Sequence, residues 1–547
     1  MNIHMEEGTM KRPRLNQQAR SLPSRHTLAL ACGTLVASLW WSQSHAQPQA
    51  QPEIEVRLPG NELPSDQPTA VPRTGTWIEP RVTTGVTLTN NGPLVPNDPP
   101  SEQILEVTPG IRVVLNGPRA KGFLDYSLSA LYHAQGTSGD NFRNALNADM
   151  TFEAVDNRLF IDASGIISDE VISAYGTQSF GRVDANRSET KSFRVSPYVR
   201  GMLGSMAEYE LRYSLETLQT DTIFRSDITA QDLALSLRSD ISGRRFGWLA
   251  DASVQEADYS LDRRTRSNLV RGGLLYAASP QLLLTLLAGR ESNDIITPTR
   301  ESYSTTGLNL DWRPSNRTRL QVGVERRYFG TGHNVSLEHR SGRTVWRFVD
   351  ARDVADSPLD AQTASLGSVY SLLDNLYATQ EPDPVRRAQL VEAELLRLGL
   401  PANANGLQGV LASTATLDRA QQLSVALVGM RDVVTVALTR SSSRRLGTGL
   451  NVGDDLDNGN VIRQQAWSVN YSHRLTPITT YNAGVTWQKY DGLVAGETNR
   501  LTSIALGMTT RISLRTSATL QLLRALYDRA GGSYRETAVS ALITHRF

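Results

Sequence analysis

The sequence from residue 76 to its end is built of segments in which apolar and polar side chains alternate. In AEYELRYSLET (207–217), Tyr209, Leu211 and Tyr213 fall on one face, and charged residues fall on the other. A period of two predicts β-strands with two different faces. The segments run to roughly 10 to 14 residues, longer than the five or six that are typical of globular strands. The pattern therefore predicts an all-β fold of long strands.

Two architectures accommodate such strands: a sandwich whose polar face meets water, and a closed barrel whose apolar face meets lipid. No run of about 20 apolar residues follows position 46, so membrane-spanning helices are excluded there. Aromatic residues near strand ends on the apolar face favour a barrel, where they form an interfacial girdle. They include Tyr132, Tyr209 and Trp487.

The connections favour the barrel more strongly. Short links, such as Asn116-Gly117-Pro118 and Thr476-Pro477, alternate with mostly longer ones, such as 169–189 and 443–460. Outer-membrane barrels have short periplasmic turns and longer outer loops in this alternation. The sequence thus predicts a transmembrane antiparallel β-barrel of the outer-membrane type over 76–547, with about 22 strands.

The amino-terminal region reads as an export signal. A basic lead precedes the apolar stretch 27–41, and Ser44-His45-Ala46 favours cleavage after Ala46, so that 1–46 is a signal peptide. The following 47–75 is a Pro- and Gln-rich periplasmic lead. Cys32, the single cysteine, lies within the signal, so the mature chain needs a device other than disulfides to hold it.

The carboxyl end, VSALITHRF, predicts a final strand that closes the barrel. Its apolar face would meet lipid, and its end would serve as the signal for the barrel-assembly machinery. The residues of this signal are Val539, Ala541, Ile543 and Phe547, with His545 on the same face.

One segment, 353–419, breaks the strand pattern. It contains two helical patterns, of which the second, 383–401, begins with Asp383 as a helix cap and ends at Gly399 and Pro401. Strand parity places this insertion outside the cell. We expect a helical insertion that caps the mouth, folds into the lumen as a plug or lid, or pairs with another chain.

Motifs of chemistry are few, and the sequence predicts no enzyme, no cofactor and no metal site. His333 and His339 share a strand face but are roughly 20 Å apart, too far to hold one metal ion. The loop GDDLDNGN (453–460) has a calcium-like composition, but its spacing does not match an EF-hand, which favours a solvated surface loop. The basic and acidic totals, 56 and 55, give no reason to expect a nucleic-acid partner.

Three segments carry a resemblance to a bacterial family: RSGRTVWRFVDARDV (340–354), EPDP (381–384) and QQLSVALVGMRDVVTVALTRSSS (421–443). Their order is similar to that of the PEP-CTERM system-associated outer-membrane barrels, in which a hairpin precedes a helical insertion and the barrel then resumes. The chain departs from the usual ending at His545, where such barrels often have Tyr, and in the high charge of the strand 343–352. The resemblance implies a role with exosortase and exopolysaccharide gene clusters.

Together these patterns lead us to expect a barrel that supports exopolysaccharide export or surface assembly. A structural or adhesive surface barrel without a channel, or a general diffusion porin, remain alternatives. The expected partners are outer-membrane lipid and lipopolysaccharide, the assembly machinery and polysaccharide export proteins. The charges expected to face the lumen are Glu208, Glu210, Arg212, Glu216, Arg319, Glu325 and Arg327.

Overall fold

The computed structural model describes residues 75–137, 141–177, 186–222, 225–241, 243–355, 387, 391, 414–447, 455–457, 461–493, 498–529 and 532–547. Within these ranges the chain forms 22 strands. They are β1 (Gly75–Thr89), β2 (Glu102–Asn116), β3 (Ala120–His133), β4 (Asn141–Val155), β5 (Leu159–Val171), β6 (Arg187–Leu203), β7 (Ala207–Thr220), β8 (Ile228–Ser239), β9 (Phe246–Tyr259), β10 (Thr265–Ser279), β11 (Leu282–Asn293), β12 (Glu301–Ser315), β13 (Thr318–Arg327), β14 (Gly330–Arg340), β15 (Thr344–Ala355), β16 (Thr416–Val428), β17 (Asp432–Arg445), β18 (Val461–Thr476), β19 (Thr479–Asp491), β20 (Thr498–Arg511), β21 (Thr516–Arg529) and β22 (Tyr534–Arg546).

The strands form one closed antiparallel barrel. Each strand pairs with the next along the chain, and β22 returns to pair with β1 from Arg81↔Arg546 to Thr89↔Ala538. Closure gives both edges of the sheet hydrogen-bonding partners, which a lipid-embedded sheet requires. The predicted fold class and strand number are therefore confirmed.

The two ends of the barrel differ in their connections. Links that follow even-numbered strands contain two to six residues, and we call this side the turn end. Links that follow odd-numbered strands are mostly longer and define the loop end, with 328–329 and 530–533 as short exceptions. The alternation predicted from the sequence is thus observed around the whole ring.

The outer face is apolar along the middle of the strands. Leu274 and Leu286 lie directly opposite each other and are 65% and 59% exposed, and Trp467 lies opposite Trp487. Exposed side chains of this size on every part of a ring match the lipid-facing band of a membrane barrel. No helix among the described residues is long and apolar enough to cross a bilayer.

Some predicted boundaries are wrong by a few residues. The barrel begins at Gly75 rather than 76, and the insertion spans 356–415 because β15 continues to Ala355 and β16 starts at Thr416. Within that insertion Arg387 and Val391 are helical, and most of both predicted helices lies outside the described residues. The signal peptide and the lead to residue 74 also lie outside them.

The charged strand that departs from the family pattern, β15, is explained by its two faces. Arg347 faces the lumen and lies 3.7 Å from Glu338, while Asp353 contacts Arg327 at 3.3 Å. The outward Asp350 sits near the loop end and binds Arg419 and His333 at 3.0 Å each. Its charges therefore lie in the lumen or beside ionic partners rather than bare in lipid.

Candidate functional site in the lumen

The lumenal face is a wall of ion pairs and hydroxyl groups. Several pairs join strands that are not neighbours: Arg81 on β1 binds Asp125 on β3, and Arg271 on β10 binds Glu325 on β13 at 3.1 Å. Such contacts identify the concave side of the sheet, where side chains converge. Gly289 and Gly307 lie between Arg271 and Glu325 and leave the room that this long bridge needs.

One part of this wall opens into a recess of about 470 Å³ on β4 to β9. Its lining is polar, with hydroxyls and charges of both signs: Asp149, Thr151, Asp162, Ala163, Ser164, Arg194, Ser196, Arg212, Ser214, Glu216, Ala230, Asp232 and Gln255. The recess has room for a hydrated small molecule or a segment of a polar chain.

A proline marks the position of the recess. Pro197 pairs with Ile161 on β5, but the ladder between β6 and β7 is interrupted at this point. Proline lacks the N–H that a ladder bond needs. The hydroxyls of Ser196 and Ser214 bridge the gap at 2.9 Å and line the recess. Pro109 in β2 interrupts the ladder to β3 in the same way, and Thr108 and Ser129 bridge it at 2.8 Å.

Two arginines organise the charges in the recess. Arg194 binds Glu216 at 2.9 Å, and Arg212 binds both Asp162 at 2.8 Å and Glu210 at 2.9 Å. The Arg212 guanidinium also lies 3.9 Å from the ring centre of Tyr198, a cation–π contact. These contacts fix the guanidinium planes, while Asp149 and Asp232 add two further carboxylates to the lining.

The remaining lumenal candidates lie elsewhere on the wall. Arg319 binds Asp311 at 2.7 Å, and Arg327 binds the fully buried carboxylate of Glu291 at 2.7 Å. Glu325 belongs to the bridge with Arg271, and the exposed Glu208 lies near the turn end opposite Arg238. The structure thus brings Glu210, Arg212 and Glu216 to the recess and leaves Glu208 and the three β13 residues outside it.

At the loop end, links from opposite sides of the ring contact each other. Ser173, between β5 and β6, donates a hydrogen bond of 2.8 Å to Asp455, between β17 and β18. The Ala174 amide donates to the same carboxylate at 2.6 Å, and Asn499 on β20 donates to the Ala174 carbonyl at 3.2 Å. Ala174 packs there with Leu456, Ile462 and Tyr490. These contacts brace the mouth of the barrel.

A second brace lies beside the first. Arg445 at the end of β17 binds Asp457 at 2.9 Å and lies 3.8 Å from Asp262, between β9 and β10. Arg263 donates to the Ile295 carbonyl at 2.7 Å, and Ile295 packs with Phe329. The expectation of a solvated loop at 453–460 was wrong for its described part, because Asp455 and Asp457 bind protein groups; Asp454 lies outside the described residues.

The terminal strand has the two faces expected from its sequence. Val539, Ala541, Ile543 and Phe547 are exposed on the outer face, and Phe547 is 63% exposed. The Phe547 amide donates to the Pro80 carbonyl at 3.0 Å, which joins the carboxyl end to β1. His545 stacks edge-to-face on Phe547 with ring centres 4.9 Å apart.

The two paired histidines, His333 and His339, lie on the outer face. His333 binds Asp350 at 3.0 Å, and the Nδ1 of His339 lies 2.8 Å from the Thr318 hydroxyl. Each histidine is therefore engaged by its own neighbouring strand.

Sequence reasoning missed Asp149, Asp162, Arg194 and Asp232 as parts of the recess. Alternation identified the inward side of each strand separately. It held no signal for which inward residues of five other strands lie beside Arg212. The proline in β6 was the one local signal available, because it marks where the ladder is open.

No protein-family model matches the chain, and no curated protein matches it. Solved structures share the type of fold. The siderophore receptor PirA from Pseudomonas aeruginosa is 9% identical, with a TM-score of 0.38 over 87% of this chain and 81% of that chain. The FrpB iron transporter from Neisseria meningitidis is 10% identical, with a TM-score of 0.37 over 86% and 81%. OccK11 (OpdR) from Pseudomonas aeruginosa is 10% identical, with a TM-score of 0.32 over 87% and 98%. At these values the likeness is one of fold only.

Proposed function

We propose that this chain is an outer-membrane barrel that supports the export or surface assembly of an exopolysaccharide in a PEP-CTERM or exosortase-type system. The membrane location is supported by the closed ring and its apolar outer face. The signal at 1–46 would direct export, and the β22 strand would be recognised by the barrel-assembly machinery. The association with exosortase systems rests on the resemblance in sequence.

The observation that carries the proposal is the chemistry of the lumenal wall. Arg194, Arg212 and their carboxylate partners are held in ion pairs, so the wall presents fixed hydrogen-bonding groups rather than one strong potential. Hydroxyls such as Ser196 and Ser214 lie among them. Sugars are polyhydroxylated and mostly neutral, and their hydroxyls both donate to carboxylates and accept from guanidinium groups.

The braced mouth favours a gated or assembly barrel over a general diffusion porin. The Ser173–Asp455 contact holds links from opposite walls together, so a molecule crossing there must displace it. The same bracing also supports the second candidate, a structural or adhesive surface barrel without a channel. We infer no enzyme activity for the lumenal groups.

Export can be tested in the source bacterium by deleting the gene and measuring polysaccharide released to the cell surface and medium. We expect a loss that the wild-type chain restores. A matched pair of variants separates the lumen from the scaffold: Arg212→Gln in the recess and Arg313→Gln, which is exposed near the turn end. Restoration by Arg313→Gln and impaired restoration by Arg212→Gln, at equal amounts of folded barrel, supports a path through the lumen.

Other outcomes point to the alternatives. Full restoration by both variants favours a scaffold whose lumen is not used. Unchanged polysaccharide in the deletion strain rejects the export role. Rapid swelling of liposomes in small neutral sugars, at rates typical of porins, would identify the chain as a diffusion porin.

A further inference from the structure

We propose that the outer face of β15 to β18, near the loop end, binds a phosphorylated glycolipid of the outer leaflet. The binding surface is an arginine patch formed by Arg352, Arg419, Arg440, Arg444 and Arg463. This inference rests on the proposed outer-membrane location and is independent of the export role.

The patch is defined by strand register around Ser442. Arg419 on β16 lies directly opposite Ser442, and Arg463 on β18 lies opposite it on the other side. Arg440 and Arg444 lie two residues before and after Ser442 on β17, on the same face. Opposite residues are about 5 Å apart and i, i+2 residues about 7 Å apart, so four guanidinium groups surround one small side chain.

These arginines face outward. Their strand face is that of Leu438, which is 48% exposed, whereas Ala437 and Ser468 on the other face are buried. Arg419, Arg440, Arg444 and Arg463 are all exposed. The patch is therefore on the same surface as the apolar band.

Positive charge is in excess at this surface. Asp350 is bound by Arg419 at 3.0 Å, and Asp491, opposite Arg463, is bound by Lys489 at 2.8 Å. Arg440, Arg444 and Arg463 form no ion pair with another described residue. Arg352 also lies directly opposite Arg419, and like charges in that arrangement destabilise a sheet. An anionic ligand would remove this repulsion.

The patch lies at the level of a lipid headgroup. Arg440 and Arg444 are eight and twelve residues from Asp432 at the turn end of β17. In a strand tilted by about 40° they stand about 20 to 30 Å above Asp432, which brackets the edge of an apolar band about 25 Å tall. Trp467 and Trp487, one row below, lie opposite each other, as aromatic residues do at a membrane interface.

The extent of the patch favours a ligand with two phosphates. Arg440 and Arg444 are about 13 Å apart along the strand, wider than one phosphate group can contact. Arginine binds phosphate oxygens through paired N–H donors, and Leu423, Leu438 and Trp467 just below offer a surface for acyl chains. A sugar headgroup with two phosphates and several acyl chains meets both requirements. Short links mark the periplasmic side in such barrels, so the patch faces the outer leaflet.

The test uses the full barrel purified in a neutral detergent. Native mass spectrometry would measure retention of diphosphorylated lipid A, its monophosphorylated form and phosphatidylglycerol. The test variant is Arg440→Gln with Arg463→Gln. The control is Arg266→Gln with Arg290→Gln, which removes two exposed outward arginines on β10 and β11, where Glu256 and Asp294 lie close to Arg266.

We expect the wild-type chain and the control to bind the diphosphorylated lipid equally, and the test variant to bind it at least tenfold more weakly. Loss of one phosphate from the lipid should weaken wild-type binding and narrow that difference. Equal binding by the test variant would overturn the proposal, and so would phosphatidylglycerol binding that is as tight and as sensitive to the variant. A chain that fails in polysaccharide export can still pass this test, and recovery of the chain from the periplasm without detergent would remove its premise.

Discussion

The Ser173 hydroxyl donates a hydrogen bond of 2.8 Å to Asp455, although the two residues belong to links on opposite sides of a 22-stranded ring. The contact crosses the mouth at the loop end and is reinforced by the Ala174 amide and by Asn499. A carboxylate that accepts two hydrogen bonds is a strong local tie. The mouth is therefore held by a few identifiable bonds that mutation can remove one at a time.

Removing the brace should open the mouth. Asp455→Ala deletes the acceptor of both hydrogen bonds, each worth about 1.5–3 kcal/mol when the acceptor is charged. In planar bilayers we expect openings that are at least ten times more frequent than in the wild-type chain. The control is Asp528→Ala, an exposed outward carboxylate. Identical traces for Asp455→Ala and the wild-type chain would show that the brace does not control conduction.

The seam between β1 and β22 can be tested with a disulfide. Thr83 and Thr544 are register partners whose hydroxyls are 2.9 Å apart on the lumenal face. Opposite residues in an antiparallel pair have Cα separations that a disulfide can span. In a Cys32→Ser background, we expect Thr83→Cys with Thr544→Cys to oxidise to a form that migrates differently without reductant.

The matched control for the seam is Thr83→Cys with Ile543→Cys, because Ile543 faces outward and is 50% exposed. We expect little cross-linking in this pair. Equal cross-linking of both pairs would mean that the two strands are not held in the observed register.

The Arg327–Glu291 pair should be a principal contributor to the stability of the wall. Arg327 contacts both oxygens of Glu291 at 2.7 and 3.1 Å, and the carboxylate is fully buried. Arg327→Met leaves that charge without its main partner, which costs about 3–5 kcal/mol in buried pairs. We expect a lower urea midpoint for the variant, measured by tryptophan fluorescence in lipid vesicles.

Two further variants make this result specific. Adding Glu291→Met to Arg327→Met should recover much of the loss, because no buried charge then remains unpaired. Arg313→Ala removes a 59% exposed partner of Asp311, and we expect a change of less than about 1 kcal/mol in the free energy of unfolding. A larger effect for Arg313→Ala than for Arg327→Met would refute the assignment.

The carboxyl-terminal residue should matter for assembly. Phe547 is exposed on the outer face, and its amide bonds to Pro80, so deletion removes both an apolar end and a bond of the seam. We expect less barrel in the outer membrane, scored as the heat-modifiable form on gels. Leu514→Ala, at a turn residue that is 94% exposed, should leave the amount unchanged. Normal assembly without Phe547 would place the assembly signal elsewhere in β22.

The sequence predicted single strands better than it predicted their neighbours. It placed Arg212 and Glu216 on the inward face of β7, where the structure has them. It did not identify Asp162, fifty residues earlier, as the partner of Arg212. It also gave Asp455 and Asp457 a solvated setting, because nothing in GDDLDNGN indicates that links from across the ring approach it.

Alternation of side chains is a local property, since each residue turns its side chain to the face opposite its neighbour's. The sequence by itself therefore determined the strands, their two faces, the short turns and an even strand number compatible with a closed ring. Which residues meet is a different matter, because it depends on how far each strand slides along the next and on the curvature of the whole sheet. Only the tertiary structure decided the recess around Arg212, the brace at Asp455 and the arginine patch around Ser442, since each joins residues that register and closure bring together.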